Sequence, residues 1–112
     1  MGRPHRSPPQ TAVAIFARGA TPGKAKTRLV PLLGSRGAAK FQAALISDTI
    51  RKVNTLARRA MLYFFLAGRD FPGGALPRDF VWARQQGREL GARLRNAFQR
   101  LLRRHPAAVV LS

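Results

Sequence analysis

Two short apolar runs constrain this chain more than any other feature. Thr11-Ala12-Val13-Ala14-Ile15-Phe16-Ala17 and Ala60-Met61-Leu62-Tyr63-Phe64-Phe65-Leu66 are dominated by apolar residues at odd and even positions alike. Side chains of a strand point alternately to opposite faces, so each run needs cover on both sides. A parallel sheet with helices above and below supplies that cover. Between the runs, residues 36–57 change to a helical period. Ala39, Ile46, Ile50, Val53 and Ala57 form one apolar stripe, with Phe41, Leu45 and Leu56 on the line beside it. A second helix is expected from Glu89 to Arg104, with Leu90, Leu94, Ala97, Phe98, Leu101 and Leu102 as its apolar stripe. Its other face, with Arg93, Arg95, Arg100, Arg103 and Arg104, reads as solvated. Phe80-Val81-Trp82 and Ala107-Ala108-Val109-Val110-Leu111 complete the pattern as two further strands. Strands alternating with helices predict an α/β fold with a mostly parallel sheet and flanking helices.

The breaks fall where the backbone demands them. Residues 1–10 hold three prolines and no apolar period, and read as a flexible basic tail before a domain at 11–112. Pro31 limits a short helix, Gly34 interrupts the chain, and Ser35 is positioned to cap the long helix that follows. Gly68, Pro72, Gly73, Gly74 and Pro77 mark a loop before the third strand.

Charge and composition narrow the function classes. The 112 residues carry 21 Lys and Arg against 4 acids, a formal charge of +17. Such an excess concentrates anions around the chain. The basic residues are spread along the sequence, and one Trp and one Tyr leave no aromatic-rich segment for stacking bases. The charge therefore points first to a polyanionic small ligand and second to nucleic acid. Asp48, Asp70, Asp79 and Glu89 lie far apart in sequence, so no paired-carboxylate motif for acid–base work or for a magnesium ion is present. The absence of cysteine excludes disulfides, thiolate metal sites and thiol nucleophiles, and fits a cytoplasmic location. No apolar run reaches the ~18 residues of a membrane span. No catalytic residue is identifiable.

The segment after the first strand carries the sharpest chemical signal. Thr21-Pro22-Gly23-Lys24-Ala25-Lys26-Thr27-Arg28 places three cations around a Pro-Gly turn at a strand end. Gly23 permits close approach of a ligand to the backbone, and Lys and Arg bind phosphate oxygens as point charge and fork. It is neither a Walker A loop nor a dinucleotide fingerprint, because the glycine spacing is wrong and Ala25 stands where a magnesium-binding hydroxyl belongs. The same pattern also fits an ordinary basic loop. In open α/β sheets ligands bind beyond the carboxyl ends of the strands, and both this loop and the Gln85–Arg93 segment lie there.

Ala14-Ile15-Phe16-Ala17-Arg18, Pro22-Gly23-Lys24-Ala25-Lys26-Thr27-Arg28-Leu29 and Pro31-Leu32-Leu33-Gly34 resemble the opening of a bacterial family of GT-A-like glycosyltransferases. Some of its members are associated with arsenosugar biosynthesis or with radical-SAM and selenium-related proteins. Gln85-Gln86-Gly87-Arg88-Glu89-Leu90-Gly91-Ala92-Arg93-Leu94 is similar to that family's second motif, with Glu89 in place of the more frequent Asp. Lys26-Thr27-Arg28-Leu29 is also similar to a Lys-Ser-Arg-Leu segment of 2-phospholactate guanylyltransferase, and molybdenum-cofactor guanylyltransferases are more distant counterparts.

The resemblance implies a Rossmann-like fold of the nucleotide-diphospho-sugar transferase type. It implies a diphosphate site drawn from Arg18, Pro22, Gly23, Lys24, Lys26, Thr27 and Arg28, walled by Gln85, Gly87 and Gly91, with Arg93 on phosphate or on an acid. The partner is then a nucleotide sugar, or an NTP if the chemistry is nucleotidyl transfer, and a small basic nucleic-acid-binding module is the reading from another class. Mg2+ or Mn2+ is implied for the complete domain. The family continues from its fourth strand into a metal-binding Gly-x-Asp segment, and the sequence ends at Ser112 before one. The 112-residue chain is therefore expected to be a fragment after the fourth strand, to bind no metal, to lack transferase activity alone and to self-associate.

Overall fold

The computed structural model describes residues 11–18, 30–68 and 76–112. The elements run β1 (Thr11–Arg18), α1 (Val30–Asn54), β2 (Ala60–Ala67), β3 (Phe80–Arg84), α2 (Leu90–Leu102) and β4 (Ala107–Leu111). The tail at 1–10, the basic loop at 19–29 and the turn at 69–75 lie outside the described residues.

The four strands form one sheet in the order β3-β2-β1-β4, and all three pairings are parallel. The sheet is thus parallel throughout its described strands, as the doubly apolar runs require. Thr11 stands opposite both Ala60 and Ala107, so the central strand begins in step with its two neighbours.

The chain covers the two faces in turn. Val13, Ile15 and Ala17 of β1 join Leu62, Phe64 and Leu66 of β2 in a core closed by Ile50 and Val53 of α1. Ala12, Ala14 and Phe16 join Tyr63 and Phe65 in a second core closed by Ala97 and Leu101 of α2. Phe64 and Leu101 are fully buried, and burying a side chain of that size stabilises by about 1.5–3 kcal/mol.

Gly34 takes φ 75 and ψ 165 inside α1, so the helix is two segments joined at a kink. That break is where the sequence places it. The long segment ends at Asn54 rather than at residue 57, because Thr55 to Arg59 fold into turns anchored by Leu56 N–H donating to the Val53 carbonyl at 2.8 Å. Ala57 still packs against the core from outside the helix. The strands β1 and β3 run further than the apolar runs alone indicate, to Arg18 and Arg84.

In α2 the expected stripe is too wide. Ala97 and Leu101 are buried and Leu94 is half-buried, but Leu90 and Leu102 are 52% and 51% exposed. The helix touches the sheet along a strip narrower than its apolar arc. His105, which follows the helix, is buried, and its Nε2 lies 2.9 Å from the Tyr63 hydroxyl across the second core.

Candidate functional site

The connections create a switch in direction at β1. From β1 the chain steps through β2 to β3 on one side, then returns past both to place β4 on the other side. At such a reversal the loops leaving neighbouring strands part in opposite directions and open a crevice beyond the carboxyl ends. A cleft of about 450 Å3 occupies that place. It is lined by Phe16, Ala17 and Arg18 at the end of β1, by Ser112 after β4, by Gln85, Arg88 and Glu89 from the β3–α2 connection, and by Arg93 in the first turn of α2.

Side-chain amides fix the ends of the strands beneath it. Gln85 donates its backbone N–H to the Leu66 carbonyl at 2.9 Å. Its Nε2 donates to the carbonyls of Ala17 and Phe65, each at 3.2 Å, and so spans the ends of β1 and β2. From the other face Gln42 of α1, buried despite its polarity, donates Nε2 to the Arg18 carbonyl at 2.8 Å. Buried polar groups hold their place only when hydrogen-bonded, and both glutamines meet that condition at the same strand end.

The connection from β3 to α2 is organised by its own residues. Gly87 has φ 136, and a Cβ there would lie 2.9 Å from the Arg93 nitrogen, so the position excludes any side chain. Its carbonyl accepts from Arg93 Nε at 2.9 Å. Asn96 donates to the Gln86 carbonyl at 2.6 Å. Glu89 is the N-cap of α2, and its carboxylate accepts from Gly91 N–H at 3.1 Å and from Ala92 N–H at 2.6 Å. A Cβ on residue 91 would come 3.0 Å from that carboxylate, a tight contact with the cap.

Two chemical consequences follow. Glu89 takes the N–H groups of Gly91 and Ala92 at the start of α2, so the cations that line this cleft are the side chains of Arg18, Arg88 and Arg93, with Glu89 beside them. The acid of the second motif is committed to capping. Among the described residues no three His, Cys, Asp or Glu side chains gather where a metal ion could bind, so the described residues do not fit the divalent ion that the sequence resemblance implies.

The structure thus brings Arg18, Gln85 and Arg93 to one cleft, with Gly87 and Gly91 in the connection that shapes it. Pro22, Gly23, Lys24, Lys26, Thr27 and Arg28 lie outside the described residues. Arg88 and Gln42 are not singled out by the sequence. Arg88 sits inside the second motif, but nothing in the spacing marks Gln42 beyond its position within an apolar stretch.

No protein-family model matches the chain, and no curated protein matches it either. Among solved structures, the chain is similar to a "putative nucleotide-diphospho-sugar transferase" from Desulfovibrio desulfuricans G20, with TM-score 0.70 and 26% identity. The match covers 84% of this chain and 42% of that one, so the chain spans about two fifths of its length. The likeness supports a GT-A-like, Rossmann-type fold. Among the described residues no helix is long and apolar enough to cross a membrane.

Proposed function

We propose that this chain carries the donor-diphosphate half of a nucleotide-sugar-dependent glycosyltransferase. The observation that carries the reading is the placement of a cationic cleft at the switch point of the sheet, beside the strand end from which the basic segment departs. The similarity to the Desulfovibrio protein supports it at the level of class.

In this reading Lys24, Lys26 and Arg28 join Arg18 and Arg93 around the diphosphate. Their part is to bind it and to hold positive charge where negative charge grows as the sugar leaves. Gln85 ties together the ends of β1 and β2 beneath the cleft. No step is assigned to a metal ion, for which the described residues offer no ligand set.

Calorimetric titration with a panel of nucleoside diphosphates and nucleotide sugars tests the proposal. Replacing Lys26 and Arg28 together with Ala is expected to abolish measurable binding, since charge-assisted hydrogen bonds contribute about 1.5–3 kcal/mol each. Unchanged affinity in that variant, or no binding of any diphosphate by the parent chain, overturns it.

A further inference from the structure

The arginines of α2 read from sequence as a solvated face, but the structure gathers several of them around a recess. A second cleft, of about 310 Å3, lies between α2 and the β3 side of the sheet. Arg84 of β3 and Arg93, Arg100 and Arg103 of α2 line it, over a floor that includes Phe65 and Ala97. On α2 these arginines stand at positions i, i+7 and i+10, which a helix brings to one side over about 15 Å.

The side chains are held towards the recess. The Arg100 guanidinium lies 5.8 Å from the centroid of the Phe65 ring, a cation–π contact that turns it to the floor. Arg84 donates Nη1 to the Gly68 carbonyl at 2.7 Å, and Arg93 donates Nε to the Gly87 carbonyl. Each of these bonds uses one of a guanidinium's five N–H donors and leaves the charge in place. Among the described residues no carboxylate lines the cleft. Four like charges in one recess repel, and an anion in the recess reverses the sign of that energy.

We propose that this cleft binds the phosphodiester backbone of a single nucleic-acid strand and does not read its bases. A chain ligand suits it better than a compact one, because Arg84, Arg100 and Arg103 are all exposed and leave the recess open along α2. Arg93, Arg100 and Arg103 follow one another over about 15 Å, longer than a single phosphate group and suited to successive phosphates of one strand. The floor offers no stacking surface: Phe65 is 2% exposed, and Trp82 belongs to the opposite face, where it stacks on Phe64. Base recognition on single strands needs such exposed rings. This site does not depend on the diphosphate reading, although Arg93 borders both clefts.

The test is fluorescence anisotropy of a labelled twelve-residue thymidine oligonucleotide over a range of salt concentrations. The parent chain is compared with R100Q/R103Q and, as a control of equal charge, with R58Q/R59Q beyond the end of α1. Each phosphate neutralised on a single strand contributes about 0.7 to the slope of log K against log salt, so R100Q/R103Q is expected to flatten the slope by about 1.4. R58Q/R59Q is expected to leave it unchanged, and a cytidine oligonucleotide to bind within threefold of the thymidine one. Nucleotide-sugar binding by R100Q/R103Q stays at the parent value, which separates this proposal from the previous one. An equal flattening in both double variants shows diffuse attraction and overturns the proposal. So does binding of inorganic tripolyphosphate without binding of the oligonucleotide.

Discussion

Arg93 Nε donates to the carbonyl of Gly87 at 2.9 Å, across a turn whose φ of 136 at Gly87 leaves no room for a Cβ. The bond ties the first turn of α2 to the segment that enters the cleft at the switch point. Gly87→Ala is therefore expected to cost about 1–3 kcal/mol, from backbone strain alone. Chemical denaturation measures that loss. If the cleft holds a diphosphate, calorimetry on the folded variant also shows weaker binding, because Arg93 moves with the turn. Parent-like stability would mean that the turn is not held as described.

Glu89 gives a second, sharper expectation, because it is the acid of the second motif and its geometry shows capping. Both carboxylate oxygens accept backbone N–H groups at the start of α2. Glu89→Ala is expected to destabilise the chain by about 0.5–2 kcal/mol, the usual range for loss of an N-cap. The loss is expected to be equal in chelator and in millimolar magnesium. A loss that appears only with magnesium would give Glu89 a metal-binding role instead.

The contrast between these residues shows what was legible in the sequence. The four strands and the fold class were, because an apolar run without alternation has few places to go other than the interior of a parallel sheet. The kink at Gly34 was legible for a similar reason: a glycine followed by Ser35 between two helical stretches breaks the period. The strand order was not, since it depends on which side each crossover takes. The pairing of Tyr63 with His105 was not either, because the two are 42 residues apart and meet only once α2 has crossed the sheet. The burial of α2 was overestimated at Leu90 and Leu102 because periodicity gives the direction of an apolar face but not the width of its contact. In the second motif, sequence showed that Gly87, Glu89 and Gly91 belong together. Only coordinates distinguish a capping acid from a ligand-binding one.

Asp48 supplies a pH-dependent expectation. Its carboxyl is held below the usual carboxylate range, first by a hydrogen bond from Lys52 and then by the charges of Lys52 and Arg51. Lys52 Nζ lies 3.0 Å from Asp48 Oδ2, and Arg51 pairs with Oδ1. A lowered folded-state value means the contribution is present above the unfolded value, near 3.9, and is lost as pH falls through the folded value. The pair lies at the surface, with Asp48 half-buried and both cations exposed, so the effect is small and screened by salt. Asp48→Asn is therefore expected to lower the denaturation midpoint slightly at pH 6 in low salt. The difference from the parent chain is expected to shrink as pH falls below the usual carboxylate range and to vanish in 1 M salt. A difference that persists at low pH would show that the substitution acts on the helix rather than on the ion pair.

The last expectation concerns β4. It pairs with β1 along one edge, and no described strand pairs with its other edge. On the α1 side its Val109 and Leu111 are 47% and 39% exposed, and the strand carries no charged residue. An uncharged, apolar strand with a free edge is a template for association. Opposing it is the formal charge of +17, which keeps copies apart at low ionic strength. The two effects respond oppositely to salt: screening weakens the repulsion and leaves the apolar contact intact. The 112-residue chain is therefore expected to be predominantly monomeric in low salt and to associate as salt rises to about 0.5 M, where the Debye length falls well below 10 Å. Val109→Lys places a charge on the exposed face of the edge and is expected to suppress the association without unfolding the chain. Light scattering across a salt series decides the matter. A chain that stays monomeric at high salt and high concentration would show that the edge of β4 is already protected, and association that weakens with salt would place its cause in charge rather than in the strand.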